Sequence, residues 1–496
     1  MSISFNSISA DIRTFGQFIE IDNSRAVQGT PAQPHVALVI GQGLAAGTVA
    51  EAVPTLIGSA DAAEGFWGVG SMMAAMCSAF KKANPSTELW GISLDDGGGG
   101  VDNTFTLIPA GTATAAGEIG IYINGVRVAV AIADGDANTV VSASIDTAIT
   151  AHPEYSRMPI TSGEAAGTVT LTTKNAGTVG NGIDVRVNYQ PNEKLPAGIT
   201  AIPVVNTGTG ATDPVLATAI TAMGDVQYHT IVIPFTDATS LAAIEAELLT
   251  RWGPMEQKEG QVFTAALGTQ STLTSLGNTR NSQFLTIMST GGAGGNSPTA
   301  PYLAAAIVGG ISAAQTQNDP ARPLQTLPLT GMLPPAEADR FTRTERNTLL
   351  TDGIATNYVD GGGVVRIERI ITTYQTNPLS VSDPSYLDIT TMRTLSRLRF
   401  DVRTRIALRY PRHKLASDGT LFDPGQAVVT PSSIRAELIS LFRSWEGLGL
   451  VEGGVQFKED LIVERNASDV NRVDMRMSPD LMNQFRVFAG QLQFLL

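Results

Sequence analysis

Apolar runs and alternations divide this chain into segments of different texture. Residues 1–34 carry Ile3, Phe5, Ile8, Ile12, Phe15, Phe18, Ile19 and Ile21 with no sustained helical period. They read as an extended arm. An apolar terminal arm packs on something, either as a first strand of its own domain or on a neighbouring molecule. The run Val36 to Ile40 predicts a buried strand, with glycines after it at 41, 43 and 47. "SADAAEGFWGVGSMMAAMCSAFKKANP" predicts a helix capped by Ser59 and stopped at Asn84-Pro85, and "ELWGISL" (88–94) a second strand. The texture returns near 214 with strands "HTIVIPF", "QVFTAALG" and "SQFLTIM" and helices "SLAAIEAELLTRW" and "APYLAAAIVG". Strands alternating with helices imply a largely parallel sheet with helices on its faces. The expected core is therefore a discontinuous α/β domain over 35–94 plus 213–320, a mixed sheet flanked by helices.

The interruption, 95–212, opens with "DDGGGG", a hinge by composition. It continues as Thr/Gly-rich alternation ("GEIGIYINGVRVAVAI", "GTVTLTT", "GIDVRVNY") around one helix, "NTVVSASIDTAITAH", capped by Asn138 or Thr139. This reads as an inserted, mainly β domain. After a Pro-rich connector the region 321–482 predicts an α+β domain. Its parts are a helix ended by Gly353, a hairpin turning at Gly361–Gly363, a long helix over roughly 385–410 and a helix started by Thr430-Pro431. The strands "EDLIVERN" and "NRVDMRMSP" follow. Residues 483–496 read as a C-terminal strand or arm. Phe485 and Val487 alternate with polar positions, the phase slips at Ala489-Gly490 as at a bulge, and Leu492, Phe494 and Leu496 resume it.

Composition narrows the function. Of 496 residues, 43% are hydrophobic and 16% charged, with a net charge of -13. That is a globular chain, and an acidic one argues against a dedicated nucleic-acid binder. The insert alone, counted over 95–213, has five basic and twelve acidic residues, a net of -7. One cysteine, Cys77, excludes a disulfide framework and cysteine metal clusters. The start "MSISFNSISADIR" lacks a basic n-region and an apolar h-region, and "YLAAAIVGGISAA" is too short for a bilayer. The expectation is a soluble protein made in a cytoplasm, without membrane insertion.

Candidate chemistry is sparse. His35, His152, His229 and His413 form no H-E-x-x-H, and G-x-S-x-G and Walker-type loops are absent. A Ser/His/Asp triad meets only in space and is not excluded by sequence. "DDGGGGVDN" and "ADGDAN" lack calcium-loop spacing. "GQGLAAG" (41–47) nears a dinucleotide fingerprint. Such a loop must open into a helix, and here Pro54 stops one within two turns, while Asp61, near the ribose-ligand distance, sits at a helix start. An α/β nucleotide-binding enzyme using Gly41–Gly47 is the alternative reading. No catalytic, metal or cofactor residues are assigned. "MRTLSRLRFDVRTRIALRYPRHK" places Arg393, Arg397, Arg399, Arg403 and Arg405 on a helix opposite Leu387, Leu395, Leu398, Val402 and Ile406. That face is open to three readings: nucleic-acid binding, a solvated surface, or docking on an acidic partner or another copy.

Several long motifs resemble the contractile-tail sheath proteins of bacteriophages, in their Mu-like branch. They include "DPARPLQTLPLTG", "DRFTRTERNTLL", "GGVVRIERIITTYQTN", "RTRIALRYPRHKLA", "GQAVVTP", "DLIVERN", "NQFRVFAGQLQFLL", "FIEIDNSRAVQGTP" and "ALVIGQGLAAGT". The insert matches more loosely. The resemblance implies a structural protein, not an enzyme, whose α/β domain has a subtilisin-like topology. Subunits would stack as a helical homopolymer around a tail tube, also meeting baseplate and tail terminator proteins, with no direct nucleic acid contact. Contraction would proceed without ATP, driven by energy stored in the assembly. The place implied is the virion tail, after assembly in the host cytoplasm. Terminal arms would add strands to neighbours. The arm candidates are Phe5, Ile8, Ile12, Phe18, Phe485, Val487, Leu492 and Phe494. The candidates for docking on the tube or a neighbour are the five arginines.

Overall fold

Six strands organise the larger part of the chain, in the order Leu285–Ser289, Gln261–Ala266, Thr230–Val232, Val36–Gln42, Glu88–Leu94, Thr55–Leu56. The first five run parallel and the short last one antiparallel, so the sheet is mixed. In this computed structural model residues 13–17, 19, 33–292, 294–423 and 425–495 are described. Phe5, Ile8, Ile12 and Phe18 lie outside them. Gln261–Ala266 and Leu285–Ser289 are buried at every position, as expected of parallel strands whose two faces are both covered.

The helix Pro301–Asn318 packs on this sheet and on the helix Met72–Ala83. Its Gly309 and Gly310 allow that approach. A Cβ on Gly309 would lie 2.5 Å from Val232 Cγ2, and one on Gly310 3.1 Å from the Phe80 carbonyl. The single helix expected from Ser59 to Asn84 is two, Ala60–Trp67 and Met72–Ala83. Gly68 (φ 89°) and Gly70 (φ 82°) adopt backbone that side chains disfavour, and Ser71 caps the second helix through Ala74 N–H. The helix Gln270–Asn278 was not foreseen.

The insert holds three antiparallel sheets among the described residues, Val185–Val187/Gly117–Ile123/Val126–Ile132, Val204–Asn206/Thr104–Leu107/Thr168–Thr173/Ile160–Ala165 and the short pair Ile199–Ala201/Ala110–Gly111. Asn124-Gly125 and Ala166-Gly167, all at positive φ, close two-residue hairpins. Its helix Asn138–Thr150 starts one or two residues earlier than a cap at Asn138 or Thr139 implied, with Ala137 at the N-cap and no side-chain cap. The expected hinge is pinned. Asp96 accepts from Gln42 Nε2 (2.7 Å), Asn175 Nδ2 (3.2 Å) and Ala176 N–H (3.2 Å), and Val101 and Ala211 exchange backbone hydrogen bonds.

Internal contacts group Pro34–Ser396, Trp445–Glu452 and Pro479–Leu496 in one unit, and Arg397–Ser444 and Gly453–Ser478 in another. The expected boundary at 320/321 is therefore not where the packing divides. The reason is the sheet edge. Ala355 bonds to Ile287 and Ser289 through its N–H and C=O (both 2.9 Å), and Thr373 N–H reaches Leu285 O (2.9 Å). Residues 321–396 thus cover an edge that would otherwise stand open. The foreseen hairpin is present as Thr356–Val359 and Val365–Arg369, and the helix Arg343–Thr351 carries a capping box from Thr342 and Glu345. The second unit holds the hairpin Ile462–Arg465/Val473–Arg476 and a Phe442–Phe457 stack at 4.0 Å.

Gly309→Ala is expected to cost about 1–3 kcal/mol by overpacking. Gly98→Ala, whose Cβ would meet nothing within 4 Å, stays within about 0.5 kcal/mol. Urea unfolding midpoints check both, and equal midpoints would refute the close-approach account.

Candidate assembly interface

Three amides of the loop after Val36–Gln42, those of Gly43, Leu44 and Gly47, are already spent. Gly43 N–H donates to Leu94 O (3.0 Å), Leu44 N–H to Trp67 O (2.9 Å) and Gly47 N–H to Leu44 O (2.9 Å). Asn175 fills the space a ligand would need, accepting from Met72 N–H (2.9 Å) at a helix start and donating to Gly43 O (2.8 Å). Gly47 is a packing glycine, since its Cβ would lie 2.5 Å from Phe66 O. Asp61 lies in the first turn of Ala60–Trp67, not at a strand end. A phosphate cradle needs free N–H groups converging on one point, and this geometry does not offer them.

The long helix is Ile389–Arg409, and its cations have different fates. Arg393 is buried and is removed from the expected cationic face. It follows Ile389 by four residues, on the buried stripe, and donates to His229 O (2.5 Å) and Thr230 Oγ1 (2.8 Å). Burial pushes its guanidinium down to about 9. Arg397 pairs with the buried Asp401 (2.9 Å), and Arg405, itself mostly buried, pairs with Glu437 (2.9 Å). These two are structural, because removing one partner strands a charge in a poor solvent. Arg403 is exposed and Arg399 half-buried. Arg409 is 53% exposed beside Glu437, and Arg412 and Lys414 are exposed.

Arg393 belongs to a cluster that sequence spacing could not reveal. His35 and His229 stack at 5.0 Å, His35 Nε2 is 3.0 Å from Thr230 Oγ1, and His229 Nδ1 accepts from Val36 N–H (3.2 Å). Burial, then Arg393, then His229 hold His35 well below the ordinary histidine range. Burial, then Arg393, lower His229 to about 3. Both rings are therefore neutral at pH 7 and pack as core. Among the described residues no group of three or more His, Cys, Asp or Glu is arranged to hold a metal. No described helix is long and apolar enough to cross a membrane.

The C-terminal segment is where the chain offers surface. The expected strand and Gly490 bulge are not formed. After Asp480–Leu481, which pairs with Val451–Glu452, no described residue through 495 is in a strand. A strand needs a ladder partner, and the segment's own chain supplies none beyond Leu481. Its candidates are exposed: Phe485 (72%), Val487 (80%), Leu492 (93%) and Phe494 (77%). Only its root is held. Asp388 accepts from Arg369 (2.8 and 3.0 Å) and from Arg486 Nη2 (2.8 Å). Gln484 Nε2 donates to Thr390 Oγ1 and to Ala321 O (3.2 Å), and Gln325 Nε2 to Phe485 O (3.1 Å). Sequence reasoning missed these root residues, because the partners lie about a hundred positions apart and share no motif. Phe15 and Ile19, the described apolar residues of the N-terminal segment, are also fully or almost fully exposed.

The site thus consists of a braced α/β body carrying an exposed apolar C-terminal segment that belongs to no strand. The phage tail sheath protein central-domain model matches residues 209–373, and the phage tail sheath C-terminal-domain model matches 381–494. The chain is 38% identical over 496 residues, all of both sequences, to the Mu-like prophage FluMu tail sheath protein of Haemophilus influenzae. Its fold matches a sheath tail protein from Desulfitobacterium hafniense (TM-score 0.51, 14% identity, 95% of this chain and 97% of that one). It also matches one from Listeria innocua (TM-score 0.50, 12% identity, 92% and 93%). The chain belongs to the phage tail sheath family, and it is a structural subunit of a contractile tail sheath, located in the virion tail.

The buried imidazoles set a pH dependence. A base depressed on folding leaves stability intact above its unfolded pKa, near 6.5, and loses it as pH falls toward the folded value. From pH 7 to 5, His229 alone should remove about 2 kcal/mol, at 1.36 kcal/mol per unit below 6.5. His229→Asn, which keeps an acceptor for Val36 N–H, should shrink the loss seen by urea unfolding at the two pH values. An unchanged loss would place the acid sensitivity elsewhere.

Proposed function

We propose that the subunit polymerises with copies of itself as a helical cylinder around a tail tube, by terminal arms that add strands to neighbours, and contracts to drive the tube through a host envelope. The observation carrying this is the exposed, apolar-rich segment Phe485–Leu495, which belongs to no strand. Strand addition would satisfy both its backbone and its side chains. Phe5, Ile8, Ile12 and Phe18 are proposed as the N-terminal counterpart. The two-stranded hairpin Ile462–Arg465/Val473–Arg476 has exposed Ile462 and Met475, and it is a candidate ladder for an arriving arm. Assembly in the host cytoplasm and contacts with baseplate and tail terminator proteins belong to the same reading.

In this layout the α/β domain has a subtilisin-like topology, and the acidic insert, net -7 over 95–213, faces outward. The tube or a neighbouring subunit docks through Arg399 and Arg403, extended by Arg409 and Arg412. Arg397 and Arg405 are kept out of that role by their buried or nearly buried partners, and Arg393 by its own burial.

A chain lacking Asn483–Leu496 should remain folded, with an unchanged thermal transition, and form no cylinders in negative-stain micrographs. Normal cylinders from that truncation would defeat the arm reading. Arg403→Glu with Arg412→Glu, both exposed, should weaken co-assembly with the tube by about tenfold or more, one unit of 1.4 kcal/mol, a larger effect than on folding stability. Wild-type co-assembly would remove the cationic face from the mechanism.

A further inference from the structure

An extended segment usually turns its apolar side to its own core and its polar side to water. The root of the C-terminal arm does the reverse. Gln484 and Arg486 face inward, the Arg486 side chain being 16% exposed, while Phe485 and Val487 between and after them point out at 72% and 80%. The inward side chains hang over a polar cavity of about 510 Å³ whose lining includes Arg369, Asp388, Thr390, Gln484 and Arg486. The root is held by polar hooks. Arg486 Nη2 also donates to Gln484 Oε1, and Arg486 Nη1 to Gln325 Oε1 at 3.4 Å. The centre of the set is one carboxylate, Asp388, shared by two guanidiniums, Arg369 and Arg486. Burial makes Arg486 costly to leave charged, Asp388 offsets that cost, and Arg369 opposes it.

We propose that Asp388 is the positioning residue of the C-terminal arm. It latches Arg486 beside Arg369, fixes where the arm leaves its own body, and so presents the Phe485/Val487 face outward to a second copy of this chain. The latch rests on the arm-exchange reading for its purpose, but not for its geometry. Without the carboxylate two like charges face one another across the cavity, and the root detaches. A set of charged hydrogen bonds over a polar cavity can open and close again without exposing apolar core, which a packed apolar root cannot do.

Trypsin reads the latch directly on the full-length, unassembled protein. Cleavage tracks how often a site opens. Asp388→Asn should speed cutting after Arg486 by about tenfold, as expected for lost charged hydrogen bonds. Cutting after the exposed Arg472 should not change, which controls for general unfolding. Asp388→Glu, which keeps the charge, should restore slow cutting. Asp388→Asn should also slow polymerisation measured by light scattering, with the thermal transition retained. If Asp388→Asn leaves cutting after Arg486 unchanged, the latch is overturned, whatever the arm truncation does. If cutting accelerates while the truncated chain still builds cylinders, the latch stands and the arm-exchange reading falls.

Discussion

An extended backbone must find partners for its N–H and C=O groups, and this molecule is organised by where it finds them. Val36–Gln42 is paired on both sides, to Thr230–Val232 and Glu88–Leu94, by segments about 50 and 190 residues away. That requirement folds the insert in place, because the chain must leave the sheet after Leu94 and return before Thr230. It also explains the braces at the crossing: Asp96, Asn175 and the Val101–Ala211 pair close the two strands of chain on one another. At the far edge, Leu285–Ser289 is satisfied by Ala355 and Thr373. Residues 321–396 are therefore as much part of the sheet's finish as the strands themselves. The C-terminal arm is the described segment for which the chain provides no ladder.

The same logic of unmet needs sorts the charges. A helix with arginines every few residues looks like one cationic face on a helical wheel, but a wheel shows angle and not depth. Arg393 sits four residues after Ile389 and follows it into the interior, where carbonyl and hydroxyl oxygens of His229 and Thr230 receive it. Arg397 and Arg405 are consumed by Asp401 and Glu437. The exposed cations of this stretch, Arg403, Arg409, Arg412 and Lys414, lie toward the C-terminal end of the helix and past it. Counting basic residues overstated the surface, because a guanidinium buried among hydrogen-bond acceptors is a structural group.

How much could be read in advance follows from range. The buried strands, the helices from Ala238, Pro301 and Pro431, the Gly361–Gly363 turn and the capping box at Thr342 rest on neighbours within a few residues, and the sequence carries them. The break at Gly68–Gly70 was written in the glycines, yet the apolar period ran through it and masked it. Gln270–Asn278 is polar and Thr/Ser-rich, without a strong apolar stripe, and gave no signal. The glycines after Ile40 were legible as a turn, but their purpose was not, since Asn175 arrives from 132 residues away. The Asp388 cluster and the His35–His229 stack were invisible for the same reason: each joins residues whose spacing has no period. The arm was legible as apolar and terminal, while its lack of a strand partner within the described chain depends on the whole fold and not on its own residues.

An arm that joins subunits has two requirements that pull against each other. It must hold firmly enough that a polymer survives rearrangement, and its attachment to its own body must not resist the change of direction that rearrangement imposes. Apolar packing meets the first and fails the second, because a buried side chain pulled into water loses about 25 cal/mol for each Å² exposed. The chain divides the two tasks by position. On the arm-exchange reading Phe485, Val487, Leu492 and Phe494 are kept for the outward contact, where burial on a neighbour would be strong and cumulative across a cylinder. The root is given hydrogen bonds and ion pairs, each about 0.5–1.5 kcal/mol net, or somewhat more where charged, which water can replace one at a time. On the proposed reading a subunit can therefore swing on its arm while the far end of that arm stays bonded. A cylinder could then shorten without coming apart, and the motion would need no nucleotide site.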